Sequence, residues 1–469
     1  MGRFRWKNMD IKQKLIKKNL VKKDKENTEE KIKKSLRYSI LDASFWASMA
    51  GFGESFFSAF AVFLKASNFQ LGLLGSLPQA LGSIFQLFSE KLLKFFNSRK
   101  KFVATFVLLQ ALMYIPVALV FFLGDLNVYF LILFLCMYYL FGMCIGPAWS
   151  SWMGDLVSEE TRGTYFGRRN TIAGYISFIT LLIAGYILES FAGDVKTQYI
   201  GFSIIFTLAL LSRIVSFMYL CAKYEPQYVH FEDNKTGFID FLKNAGSRNY
   251  GMFIIFVCLM NFSIFIAAPF FAGYMLYDLK LSYTEYTILI AAAVIAKNLS
   301  LPVWGKMVDR YGTRKVLTLA GYLMPAISLW WLFSGSLYYL IFVQIYGGFV
   351  WAGFEIAAFN FFFDTIIPQK RARYIAYSNV LNGIALFIGA MIGGLIVKYN
   401  HFLGSQYMMV FLLSGVFRYI VSFIFIPKLR EVRIVEHISY PKLFLNILTD
   451  TTTRGWIYDM ISLRKKKKR

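Results

Sequence analysis

Twelve apolar runs, each long enough to cross a bilayer, constrain this 469-residue chain more than any other feature. They cover residues 40–64, 71–93, 102–124, 127–150, 167–190, 199–221, 250–275, 284–304, 316–335, 337–361, 374–397 and 405–427. A membrane helix needs roughly 20 apolar residues, whereas a barrel strand shows about ten residues of alternating character. The runs here are unbroken, so the backbone must satisfy its own hydrogen bonds as helices. An all-α membrane protein with twelve transmembrane helices is therefore expected. Cys136, Cys144, Cys221 and Cys258 fall inside the runs without a C-x-x-C pair, which indicates neither a metal site nor a disulfide framework. His230, His401 and His437 lie outside them, arguing against a histidine relay in the membrane. A polar stretch of nearly forty residues precedes the first run, and no cleavable signal peptide is visible.

The chain also repeats itself. Asp155, Arg162, Tyr165 and Asn170 return as Asp364, Arg371, Tyr374 and Asn379 at one offset, 364 − 155 = 209. Leu64-Lys65 and Arg99-Lys100 return as Leu279-Lys280 and Arg314-Lys315 at offset 215. Arg213 meets Arg418 at offset 205. The spacing predicts two six-helix, pseudo-symmetric halves in the same orientation, residues 39–222 and 250–427, with a cytoplasmic linker over 223–249.

The formal net charge of +24 invites a nucleic-acid reading, but its placement argues otherwise. Residues 1–38 carry fourteen Lys/Arg against five Asp/Glu, and residues 428–469 carry eleven against four. The loops after every even-numbered run are basic too, while the opposite loops hold little beyond Lys65, Lys196, Lys280 and Lys398. This is the positive-inside pattern, which puts both termini and both basic tails in the cytoplasm. Anionic cytoplasmic-leaflet lipids are the expected partners of that charge, and no nucleic acid is. Ile11, Leu15, Ile16 and Leu20, and again Leu443, Phe444, Ile447 and Leu448, share one helical face, as in interfacial amphipathic helices.

Between runs 8 and 9 stands Gly305-Lys-Met-Val-Asp309-Arg310-Tyr-Gly312-Thr-Arg314-Lys315. It resembles the loop signature of the major facilitator superfamily, G-x-x-x-D-R-x-G-R-[KR], with Thr313-Arg314 where that family has Gly-Arg. Asp155 to Gly163 looks like the family's loop after span 4. The resemblance covers about residues 38–427 and implies a transporter that alternates access between its halves, latched by this loop at the cytoplasmic face. Gly305 is expected to allow close helix approach and Gly312 a turn of positive φ. Asp309 is expected near the N-terminal end of span 11, and Arg310, Arg314 and Lys315 near Asp364 or lipid phosphates. In the first half Glu90, Lys94 and Asn97 stand where Gly305, Asp309 and Gly312 would be, so that latch must be absent or rewired. Pairing of Glu90 with Arg168 or Arg169 is one route.

Ionisable groups inside spans cost about 2.5–3.5 kcal/mol each at the bilayer centre, so they mark function. Glu54, Lys297 and Glu355 have no charged repeat mates. Lys297 and Glu355 lie at similar depth and are expected to meet across a cavity. Glu54, between Gly51, Gly53 and Ser55, is the candidate for reversible protonation. The resemblance places spans 3, 6, 9 and 12 outside the cavity, which gives Arg213 and Arg418 a structural role such as pairing with Asp42. Gln79, Trp149, Asn261, Asn360, Asn379 and Asn382 could complete a site. Gly142/Gly146 and Gly389/Gly393 read as helix-packing pairs, and Gly146-Pro147 as the close of span 4. The span 5 signature of drug/proton antiporters is missing, since that stretch reads Thr171-Ile-Ala-Gly-Tyr175.

No nucleophile–His, His-cluster or metal-ligand constellation lies in the spans, so neither an enzyme nor a cofactor is indicated. The expectation is a secondary transporter of a small solute, with proton coupling, in the plasma (inner) membrane. A non-transporting sensor or assembly factor of the same fold, or a transporter of lipid or amphipathic substrates, is the alternative.

Overall fold

The computed structural model describes residues 28–158, 162–226, 238–245, 248–366, 368–400, 404–433, 435–436 and 438–449. The expected helix face Ile11 to Leu20 falls outside these, as do Trp456 and Tyr458, which the sequence would set at headgroup level, and the side chains of Glu90, Arg162, Arg371 and Leu448. All regular secondary structure among the described residues is helical, with no strand. The helices are α1 (28–52), α2 (Phe57–Phe63), α3 (Asn68–Gln86), α4 (Ser89–Phe96), α5 (Arg99–Leu112), α6 (Tyr114–Leu119), α7 (Asn127–Leu156), α8 (Arg162–Ser190) and α9 (Val195–Ala222). Then follow α10 (Phe238–Ala245), α11 (Asn249–Phe265), α12 (Phe271–Gly273), α13 (Tyr283–Tyr311), α14 (Thr313–Leu329), α15 (Leu337–Thr365), α16 (Pro368–Tyr399), α17 (Met408–Phe425) and α18 (Tyr440–Thr449). Among the described residues nine helical stretches are long and apolar enough to cross a membrane, and one of them, Arg99–Leu156, holds both the third and the fourth apolar runs. Helix α7 continues past Pro147 to Leu156, so Gly146-Pro147 does not close that span as expected.

The repeat is written into the backbone. Ser67 opens α3 with a capping box: its Oγ accepts from Gln70 N at 3.3 Å while Gln70 Oε1 accepts from Ser67 N at 2.8 Å. Ser282 and Glu285 do the same for α13, 282 − 67 = 215 residues on, at 3.2 and 2.9 Å. Lys65 (φ 60°) and Lys280 (φ 52°) are mates at that offset, and so are Asn97 (φ 51°) and Gly312 (φ 93°). Side chains rarely adopt a positive φ; both copies place one at each of these two offsets, although Asn97 is left-handed helical (ψ 14°) and Gly312 is extended (ψ 154°). Both copies also break their first span. The chain leaves helix at Gly53, makes a tight turn over Glu54–Phe56 and resumes as α2; in the second copy the tight turn is Ala268–Phe270, between α11 and α12.

Helices up to α9 and from α11 onward meet chiefly through α3 against α16 and α8 against α13. Away from the chain termini they share one apolar core, in which Phe56, Phe60 and Phe206 join Phe270, Tyr286 and Tyr407. Hydrogen bonds tie that end as well: Tyr277 Oη donates to Val62 O and Ala66 O at 2.9 and 3.2 Å, and Tyr407 Oη to Asn68 Oδ1 at 2.7 Å. Toward the termini the cores separate, one around Phe102 and Trp152, the other around Trp304 and Phe361. Leu443 and Ile447 of α18 are buried in the latter, so this amphipathic helix docks on protein.

Candidate functional site

The interrupted first span places a carboxylate at the centre. An added Cβ at Gly51 would meet Ser177 O at 2.8 Å, and one at Gly53 would meet the Tyr114 hydroxyl at 2.3 Å. These glycines let α8 and Tyr114 close on the break. Glu54 then accepts a hydrogen bond from Tyr138 Oη at 2.6 Å. Two cavities meet at Glu54 and Tyr139. One, about 200 Å³, lies between the halves and is lined by Gln79, Leu74, Phe265 and Pro269. Pro269, 269 − 54 = 215 residues on, sits in the mated break, so the two discontinuities face one another across this cavity. The other, about 370 Å³, is a recess of the first half lined by Asp42, Trp46, Gln110, Gly146, Trp149, Arg169 and Arg213.

Arg213, on a span expected outside the central cavity, stands in the wall of this recess within the first half. Its Nε and Nη2 donate to Gln110 Oε1 at 3.0 and 2.6 Å, and Nη1 donates to Ser216 Oγ at 3.2 Å. Ser216 in turn donates to Asp42 Oδ1 at 2.8 Å, so Arg213 reaches the acid only through a hydroxyl. Asp42 pairs directly with Lys223 at 3.0 Å, and Arg169 stands 3.9 Å away with its guanidinium 4.5 Å above the Trp149 ring. Burial pulls the Lys223 ammonium below its ordinary value, and Asp42 partly restores it. Arg418, the repeat mate, is buried with one long bond, Nη1 to Met324 O at 3.4 Å, and lacks an acidic partner among the described residues.

Lys297 and Glu355 form an ion pair. They do so between neighbouring helices α13 and α15 of the second half, not across the cavity as expected, and both remain partly exposed. The remaining polar candidates are mostly engaged in packing. Asn261 donates to Asn382 at 3.0 Å, Asn360 to Ile356 O at 2.8 Å, and Asn379 to Gln86 Oε1 of α3 at 3.0 Å. Gly389 and Gly393 bring α16 onto Phe262 O and Ile266 O, as packing glycines do, but Gly146 faces open space and belongs to the recess.

At the terminal end the loop cluster departs from expectation. Gly305 faces open space, with no close approach. Asp309 lies 3.9 Å from Arg433, Arg310 donates to Glu436 at 2.9 Å, and Lys315 donates to Ile438 O at 2.9 Å. Asp364 accepts from Thr313 at 3.0 Å and from Arg433 at 2.7 Å, so Arg433 takes the place expected of Arg310, Arg314 or Lys315. Gly312 has the expected positive φ, and Glu431 occupies the space where a Cβ would stand. The first-half cluster is present but rewired. Arg99, almost wholly buried, donates to Asp155 at 2.6 Å and to Ser151 at 3.1 Å. Glu225 accepts from Ser98 Oγ and Arg99 N, both at 2.6 Å. Glu431 does the same for Thr313 Oγ1 at 3.2 Å and Arg314 N at 2.8 Å. Glu225 and Glu431 were missed in the sequence, although their offset, 431 − 225 = 206, continues the repeat.

A multi-pass helical membrane protein with two related halves and a polar cavity at their facing breaks defines the class. The profile of the Major Facilitator Superfamily matches residues 43–267 and 251–442, and the chain belongs to that family. It is 31% identical over 114 residues to the class H tetracycline resistance protein of Pasteurella multocida, a stretch that spans 24% of this chain and 28% of that one. The fold is similar to the crystal structure of a D-xylose-proton symporter (TM-score 0.65, 14% identity, 86% of this chain and 98% of that one). It is also similar to a bacterial homologue of the iron transporter ferroportin, at 15% identity, covering 85% of this chain and 98% of that one. The TM-score is 0.62 for the inward-facing state and 0.54 for an outward-facing one.

Proposed function

We propose that this chain is a secondary transporter of a small solute, with twelve spans, two six-helix halves and both termini in the cytoplasm. The solute occupies the cavity between the two broken spans, the place where discontinuous helices build sites in such repeats. The observation that carries this reading is Glu54, which opens onto both the inter-half cavity and the recess behind it. A carboxylate held by one tyrosine in a desolvated position suits reversible protonation, so coupling to protons runs through it. The shared core away from the termini and the separate cores toward them correspond, in this reading, to an inward-facing state. Cavities lined by ionisable groups favour transport over a non-transporting sensor or assembly factor, whose cavity would be plugged by bulky apolar side chains.

The test begins with ligands that raise the melting temperature of the purified chain, since whatever binds the folded state stabilises it. Solutes found this way are then assayed in proteoliposomes with and without a pH gradient. Wild type is expected to accumulate solute only with the gradient, and Glu54→Gln to exchange solute without responding to it. Gradient-independent accumulation by wild type removes the proton coupling; a bound ligand with no flux favours a sensor.

A further inference from the structure

We propose that the second half carries a binding site for an anionic phospholipid, built by a lateral groove and the helix that precedes it. Helices α11 and α16 leave a groove of about 480 Å³ between them, and every lining residue is apolar, Ile255, Cys258, Leu259, Ile384, Ala385 and Ile388 among them. The groove opens sideways, as the angular positions on α16 demonstrate. Asn379, Gly383 and Gly394 face α3, and Asn382, Gly389 and Gly393 face α11. At about 100° per residue, Ile384, Ile388, Ile392 and Leu395 point away from both, and they are 42%, 46%, 39% and 50% exposed. That stripe faces the bilayer.

Helix α10 closes the terminal end of the groove with Leu242. It is a fixed platform, because Phe241 packs on Tyr250, Tyr374 and Tyr377 at ring separations of 6.1, 4.8 and 5.3 Å. Directly after Leu242 stands Lys243, and Arg248 follows before α11; both are exposed, with no acidic partner among the described residues. An apolar slot whose lining Leu242 is followed at once by Lys243, with Arg248 exposed just before α11, fits one occupant: a lipid whose acyl chain fills the groove and whose phosphate rests on Lys243 and Arg248. The chain supplies dispersion contacts that a void would forfeit. The cations supply selection, about fivefold per Lys or Arg near an anionic surface. Since α10 belongs to the segment joining the two halves, the lipid also pins that segment to the second half. Binding itself does not depend on the transport reading; the assignment to the cytoplasmic leaflet does.

The full chain in an uncharged detergent should be challenged with phosphatidylglycerol, with phosphatidylcholine of the same chains and with soluble glycerol phosphate, and retained lipid read by native mass spectrometry. Phosphatidylglycerol is expected to bind at least tenfold more tightly than phosphatidylcholine. The Lys243→Gln/Arg248→Gln variant should erase that preference, and Ala385→Phe, which fills the groove, should weaken both lipids alike. Equal binding of the two lipids by wild type overturns the proposal, as does a preference that survives the double charge substitution. Glycerol phosphate binding as well as the whole lipid would leave a phosphate site and overturn the acyl slot. If Ala385→Phe does not fold, the charge variant and the soluble headgroup still decide between these outcomes.

Discussion

Removing the Glu225 carboxylate should destabilise the first half through the start of α5. Ser98 Oγ donates to it at 2.6 Å, Arg99 N at 2.6 Å and Lys100 N at 3.2 Å. The two backbone donors belong to the first helical turn, whose N–H groups have no partner within the helix. Hydrogen bonds to a charged group contribute about 1.5–3 kcal/mol each, and an orphaned buried donor costs a similar amount. The third bond is long and the carboxylate is 18% exposed, so water recovers part of the loss. We therefore expect about 3–5 kcal/mol for Glu225→Ala and about half that for Glu225→Gln, which keeps one acceptor oxygen. A fall of at least about 5 °C in melting temperature should follow for the alanine variant, scaled from roughly 2–4 °C per kcal/mol in mid-sized domains. The assay is thermal unfolding of the detergent-purified chain followed by intrinsic fluorescence. Glu431→Ala should behave alike, because Glu431 holds Arg314 N at 2.8 Å and Thr313 at 3.2 Å. The two carboxylates share no partners, so their effects should add. A Glu225→Ala melting temperature within about 1 °C of wild type would refute the reasoning.

Three further outcomes follow from named positions. Gly312→Ala should cost about 1–3 kcal/mol in thermal unfolding, because φ is 93° and a Cβ would stand 2.5 Å from Glu431 Oε2. Gly146→Leu should leave the melting temperature unchanged but weaken transport or ligand binding, since a Cβ there meets nothing within 4 Å and the side chain extends into the recess. Asp194 caps α9, accepting from Thr197 N at 3.2 Å and from its hydroxyl, and this holds its carboxyl below the ordinary range. A depressed folded pKa gives stability that is complete above the unfolded value of about 4 and lost as pH falls through the folded one. Asp194→Ala should thus melt below wild type at pH 7, with the gap narrowing as pH falls below the unfolded value of about 4.

What the sequence made legible were features carried by single residues and their spacing. The offset of 215 paired Lys65 with Lys280, and Arg99 with Arg314, and the backbone makes matching turns and helix starts there. Partners separated by packing were not legible. Arg99 and Glu225 lie 126 residues apart, and nothing local to either announces the other. Asp364 was expected to find Arg310, Arg314 or Lys315 from the loop between spans 8 and 9, but the tail folds back and delivers Arg433 first. Arg213 sat in a span assigned to the periphery, yet a long side chain on an outer helix reaches inward when a glycine-lined gap, here beside Gly142 and Gly146, leaves room. The central break teaches the most. Gly53 and Ala268-Pro269 interrupt equivalent spans, but only the first copy places an acid there. The second copy makes the same turn without one, so the backbone geometry does not require Glu54. A desolvated carboxylate that the fold can do without is a cost on the order of kcal/mol. It is best accounted for by what enters the cavity, which is why Glu54 carries the transport proposal and its buried neighbours do not.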